Sequence, residues 1–135
     1  MKEKSLFWIH VWMFPQNLLG LLLLWIFRKK KTFMESYREC RVYAIESRTL
    51  SGLSLGRYII LNRGQVQDNK KYREAIGHEY GHFRQGRIFG IFYLLAIGIP
   101  SVLNHLRSRK NKRVFDSYYQ RYPEKWADKL GGVKR

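Results

Sequence analysis

GHEYGH, residues 77–82, sets His78 and His82 four apart, with Glu79 directly after the first histidine. On a helix, residues i and i+4 project from one face, so two imidazoles can present ring nitrogens to one ion while Glu79 flanks the open position. The surrounding stretch KYREAIGHEYGHFRQGR, residues 71–87, reads as that helix, with Asp68 or Asn69 at the end of the polar loop NRGQVQDNK placed to cap it. Gly77 and Gly81 each cost about 1 kcal/mol of helix propensity against alanine, a cost that makes sense where another element must approach that face closely.

Zinc in such a site takes three protein ligands and a water, lowers the pKa of that water towards neutrality and polarises a scissile carbonyl. Glu79 is the residue placed to take the proton from the water and hand it to the leaving amine. Two histidines and a glutamate in this order also arise by chance, so a third ligand is the test. EKWAD, residues 124–128, supplies candidates: Glu124 and Asp128 are again four apart in a helical pattern that Gly131 and Gly132 end. One carboxylate can complete the site while the other holds a ligand histidine from behind.

His78, Glu79 and His82 followed by a downstream Glu-x-x-Ala-Asp resemble the gluzincin zinc metallopeptidases, the membrane-bound ones most of all. The resemblance implies His78, His82 and Glu124 as zinc ligands, Glu79 as the base and Asp128 as the residue that orients a histidine. It also implies a strand edge beside the cleft that holds a peptide or protein substrate as an added strand. Tyr118, Tyr119 and Tyr122 are candidates to stabilise an oxyanion by their proximity to Glu124. His10 and His105 have no partner at ligand spacing and are read as incidental.

Upstream of the motif, CRVYAIES (40–47) alternates in character and GRYIILN (56–62) is β-branched and aromatic, with turn residues in SRTLSGLSLG between them. A small antiparallel hairpin is expected. Residues 32–41 show no clear period and are read as a short helix.

LFWIHVWMFPQNLLGLLLLWIF, residues 6–27, carries no formal charge and runs straight into Arg28-Lys29-Lys30-Lys31. Its length suits a membrane helix, with an interfacial helix and a buried helix as the alternatives, and Pro15, Gln16 and Asn17 mark a place for a kink. Of the 26 basic residues only Lys2 and Lys4 precede it, which favours a cytoplasmic body facing an anionic leaflet. A second apolar run, Ile88 to Leu103, is shorter and broken by glycines and Pro100. If it crossed the membrane, His82 and Glu124 would lie on opposite sides, so a zinc site requires this run to fold back or pack within the domain.

The chain has 135 residues, enough for one domain, and 26 Lys and Arg against 10 acidic residues give it a net charge of +16. That excess calls for an anionic partner. Cys40 stands alone, which excludes an intramolecular disulfide framework and any multi-cysteine zinc knuckle.

The fold expected is therefore α+β: a mainly helical minimal zincin with a small hairpin, residues 1–31 forming a membrane anchor and 32–135 the metallopeptidase-like domain. The function expected is a membrane-anchored zinc endopeptidase. Two alternatives share these features: an inactive metallopeptidase-like scaffold, and a membrane-tethered nucleic-acid binder using the basic, aromatic stretch 104–123. The nucleic-acid reading ranks below a solvated or lipid-facing role for that stretch.

Overall fold

Asp68 starts the helix that carries the motif, its Oδ1 accepting the backbone N–H of Lys70 at 2.9 Å. This helix, α4, runs Asn69–Phe89. In the computed structural model the backbone is described for residues 2–48 and 50–135, and side chains for 7–48, 50–113 and 116–135. One face of α4 is apolar at helical spacing, and Ile76, Tyr80 and Phe83 bury against Val42, Ile59 and Leu61 of a sheet. Burial of a side chain such as Phe83 stabilises the fold by about 1.5–3 kcal/mol.

The sheet has four strands, β1 (Thr32–Tyr37), β2 (Cys40–Ile45), β3 (Gly52–Leu55) and β4 (Tyr58–Asn62), in the order β1-β2-β4-β3. The α+β class holds, and the chain is mainly helical. The hairpin does not: β2 and β4 are neighbours but run parallel, Val42 beside Ile59. The residues read as their turn contain β3, which pairs antiparallel with β4, and Thr49 of that stretch lies outside the described residues. Residues read as a short helix form β1 and its turn into β2, with Phe33 opposite Tyr43 and their rings edge to face at 5.4 Å.

Asn62 makes the crossover from β2 to β3 possible. Its Nδ2 donates to the carbonyls of Leu50, at 2.8 Å, and Ser47, tying down the loop that passes over the end of β4. Its Oδ1 accepts from Gly64 N at 3.1 Å and so caps a short helix, α3 (Arg63–Val66).

The apolar stretch 6–27 is two helices, α1 (Lys2–Trp12) and α2 (Phe14–Ile26), broken at Met13 with Pro15 in the first turn of α2. Among the described residues no helix is long and apolar enough to cross a membrane. Instead α2 lies on the sheet face opposite α4, with Leu24 against Ile45 and Ile60. The side chains of Lys2 and Lys4, on which the expected orientation partly rests, lie outside the described residues.

The chain bends at Gly90, which caps α4, and the second apolar run follows as an irregular helix: a 3-10 turn at Gly90–Phe92, a π turn at Leu94–Gly98, then α5 (Ile99–Lys110). Pro100 lacks the N–H that would bond the Ala96 carbonyl one turn back, and the Tyr122 hydroxyl donates to that carbonyl instead, at 2.7 Å. The chain then folds back through α6 (Lys112–Asp116) and a 3-10 turn (Tyr118–Gln120) into α7 (Glu124–Gly131), closed by Gly132 at φ +73°.

Candidate metal centre

Helices α4 and α7 touch backbone to backbone. A Cβ on Gly81 would lie 1.8 Å from the Ala127 carbonyl oxygen, and one on Gly131 would lie 1.7 Å from that of Gly77. The two glycines that weaken α4 therefore form the flat on which α7 sits, and at that separation the carboxylates of Glu124 and Asp128 reach the histidine face.

Glu124 Oε2 lies 3.0 Å from the Nε2 atoms of both His78 and His82. The other ring nitrogens are tied from behind: His78 Nδ1 to Asp128 Oδ1 at 2.8 Å, and His82 Nδ1 to Gln85 Oε1 at 2.7 Å. Gln85 is itself oriented, since its Nε2 donates to the Pro123 carbonyl at 3.0 Å and leaves its oxygen for the imidazole. Both oxygens only accept in this arrangement, so each ring carries a proton on Nδ1 and turns Nε2 inward, towards Glu124. Ser101 of α5 donates to Glu124 Oε1 at 2.5 Å, which leaves Oε2 for the histidines.

Three atoms that can each bind a cation once the imidazoles give up their Nε2 protons thus converge in a buried space. His78, His82 and Glu124 are 5%, 5% and 0% exposed, and their ligand atoms lie within 4.8 Å of one another. Zinc bonds of about 2.0–2.1 Å set neighbouring tetrahedral ligands about 3.3 Å apart, close to the 3.0 Å between Glu124 Oε2 and each imidazole nitrogen. Two imidazoles and a carboxylate are also a composition that zinc takes in catalytic sites.

In the metal-free chain, burial disfavours the His78 imidazolium, but its bonds to Asp128 and Glu124 outweigh burial and raise its pKa to about 9. Burial likewise works against the Glu124 carboxylate, yet hydrogen bonds from His78 and His82 hold it well below the usual carboxylate range. Glu79 is not one of the converging ligands. It is buried, which raises its pKa, and its Oε1 faces β3, where a Cβ on Gly52 would lie 2.6 Å away.

The site opens into a cleft of about 420 Å³ between β3 and the helical run 93–105. Its walls are mostly apolar, with Leu53, Leu94, Ile99 and Val102 among them. Of the three tyrosines, Tyr118 and Tyr119 line the cleft, whereas Tyr122 is spent on Ala96. Burial raises the pKa of Tyr118 well above the usual phenol value and keeps its proton in place. The Tyr119 ring stands edge-on to His78 at 5.2 Å, with the Arg135 guanidinium 3.5 Å over its centre.

His10 sits outside the site, 3.0 Å from an Arg57 nitrogen, but His105 lines the cleft, a position that spacing along the chain could not reveal. Gln85, Ser101 and Arg135 were also not singled out. Only Gln85, one turn after His82, carried a signal in its spacing. Cys40 is buried and its thiol pKa is pushed up by that burial, leaving it inert.

Compared with protein-family models, curated proteins and solved structures, the chain matches none. The gluzincin resemblance rests on His78, Glu79, His82, Glu124 and Asp128 themselves.

Proposed function

We propose that the chain is a zinc-dependent peptide hydrolase. The observation that carries this is the Glu124 oxygen 3.0 Å from the inward nitrogen of each histidine, with both outward nitrogens anchored. His78, His82 and Glu124 would hold a zinc ion, which would supply Lewis acidity to a bound water and to a substrate carbonyl.

The protein's own groups have the remaining roles. Glu79, outside the ligand set and facing the cleft, accepts the proton of the attacking water at its carboxylate and delivers it to the leaving amine. Burial raises its pKa and so makes its carboxylate a stronger base than an exposed glutamate. Tyr118, which lines the cleft and keeps its proton, is the candidate to donate to the oxygen that gains charge in the tetrahedral state.

β3 is the last strand of the sheet and lines the cleft, so an extended peptide can add to its free edge beside Glu79. The apolar walls favour substrates with aliphatic or aromatic side chains flanking the cleaved bond.

Digestion of an unstructured, apolar-rich peptide mixture, followed by mass spectrometry, tests the assignment. Zinc-loaded wild type is expected to cleave and to stop on addition of a chelator. Glu79→Gln is expected to lose at least about a hundredfold in rate with its zinc retained. A Glu79→Gln chain as active as wild type would remove the base and the proposal with it.

A further inference from the structure

All but five of the exposed large hydrophobic side chains among the described residues, the exceptions being Phe33, Met34, Leu106, Tyr119 and Tyr122, lie on the two apolar runs. Along the second run and its continuation in α5, Ile88, Ile91, Leu95, Ile99, Val102 and Leu106 recur every three or four residues and are 49–67% exposed. Ile88 precedes the bend at Gly90, and beyond it the spacing puts Ile91 to Leu106 in a stripe along one side of the helical run. Along α1 and α2, Trp8, Trp12, Leu18, Leu22 and Trp25 form a second stripe, 41–65% exposed.

The two runs are locked together where each one bends. Trp12 Nε1 donates to the Arg87 carbonyl at 3.0 Å, and Gln16 Nε2 donates to that of Gly90 at 2.9 Å. Gly90 is obligatory there: its φ is +55°, and a Cβ would meet the Trp12 ring at 2.0 Å. A soluble monomer leaves single apolar patches of a few hundred Å² at most, and paired stripes of this length need a partner.

Charge identifies that partner. Each apolar run leads directly into cations: α2 into Arg28, Lys29, Lys30 and Lys31, and α5 into Arg107, Arg109 and Lys110. A second copy of a chain with net charge +16 would bring like clusters together, whereas an anionic bilayer offers hydrocarbon to the stripes and headgroups to the cations. Because α2 is buried along one side against the sheet, it meets lipid from one side only, as an interfacial helix does.

We infer that the stripes of α1–α2 and of residues 88–106 together form a one-sided docking face for an anionic lipid bilayer. This surface stands independently of what the metal centre does. Ile99 and Val102 also line the cleft, so docking brings the cleft mouth to the bilayer surface.

Flotation of the full chain with vesicles tests it, comparing pure phosphatidylcholine with equimolar phosphatidylcholine and phosphatidylglycerol. Wild type is expected to float with the anionic vesicles and to partition at least about tenfold less onto the neutral ones. Joint substitution of Lys29, Lys30, Arg109 and Lys110 by glutamine should erase that difference. Leu22→Asn with Leu95→Asn and Leu106→Asn, all exposed positions outside the cleft, should abolish flotation.

Brominated lipid should quench tryptophan fluorescence in the unsubstituted chain, through Trp8 and Trp25. Wild type left unbound by both vesicle types would overturn the assignment. So would a lipid-free dimer that the three asparagine substitutions dissociate, since the face would then belong to a second copy.

Discussion

Gly81 and Ala127 meet with no room for a single carbon between them: a Cβ on Gly81 would lie 1.8 Å from the Ala127 carbonyl oxygen. The obstacle is backbone, which cannot turn aside as a side chain can, so Gly81→Ala must push α7 away from α4. Stability is expected to fall by about 1–3 kcal/mol, and the retreat of Glu124 should strip the site of zinc. Thermal melts and metal analysis of the variant check both. A Gly81→Ala chain with wild-type melting and full zinc would contradict the backbone contact.

Gly52 offers the opposite case, since the atom in the way is the free end of the Glu79 side chain, 2.6 Å from a Cβ built there. Gly52→Ala should fold and bind zinc almost normally while displacing the carboxylate. The expected signature is a fall in kcat of about tenfold or more with little change in melting temperature. Equal loss of stability and activity would mean that the strand, and not the carboxylate, had moved.

Arg135 holds Asp128 through Nε to Oδ2 at 2.8 Å and Nη2 to Oδ1 at 3.3 Å, and Asp128 in turn holds His78. Partners behind a ligand histidine are worth about 10–100-fold in metal affinity. Asp128→Asn is expected to cost that much in zinc affinity, and Arg135→Gln a smaller part of it, in competition against a chromophoric chelator. Unchanged affinity in both would show that His78 needs no support.

The pH dependence of the metal-free chain follows from His78 and Glu124. The His78 pKa is raised from its ordinary 6.5 to about 9, so its contribution to stability is fully present below about pH 6.5 and is lost as pH rises through about 9. The Glu124 pKa is lowered from its ordinary 4.5, so its contribution is present above that value and is lost on acidification. The apo protein should therefore melt highest between about pH 4.5 and 6.5 and lose stability towards pH 9. Zinc needs the His78 proton gone, so its affinity should rise with pH over the same upper window. Calorimetry with and without chelator checks the opposed trends, and an apo form that melts higher at about pH 9 than at 6.5 would contradict them.

What could be read along the chain was whatever lives within one or two helical turns. His78, Glu79 and His82 share a helix face by spacing alone, Asp68 caps that helix as its position suggested, and Gly77 and Gly81 signalled close approach before α7 was seen to supply it. The sheet was less legible because its pairing is not local. SGLSLG has the composition of a turn, yet it forms β3, since the Asn62 side chain holds the crossover loop in place and β4 offers an edge. Residues 32–37 have no period of their own and become a strand by pairing with β2. Ser101, His105 and Arg135 reach the site only through the fold-back of the second apolar run and the end of α7, which no spacing rule anticipates.

The central claim is that two histidines on α4 and one glutamate on α7 hold a single zinc ion. Its most direct test is metal content after dialysis of purified chain against limited zinc, by inductively coupled plasma mass spectrometry, for wild type, His82→Ala and Glu124→Ala. About one zinc per wild-type chain, with each variant falling to background while its circular dichroism stays native, is the result expected of a three-ligand site. Zinc absent from wild type, or retained in full without Glu124, would contradict it.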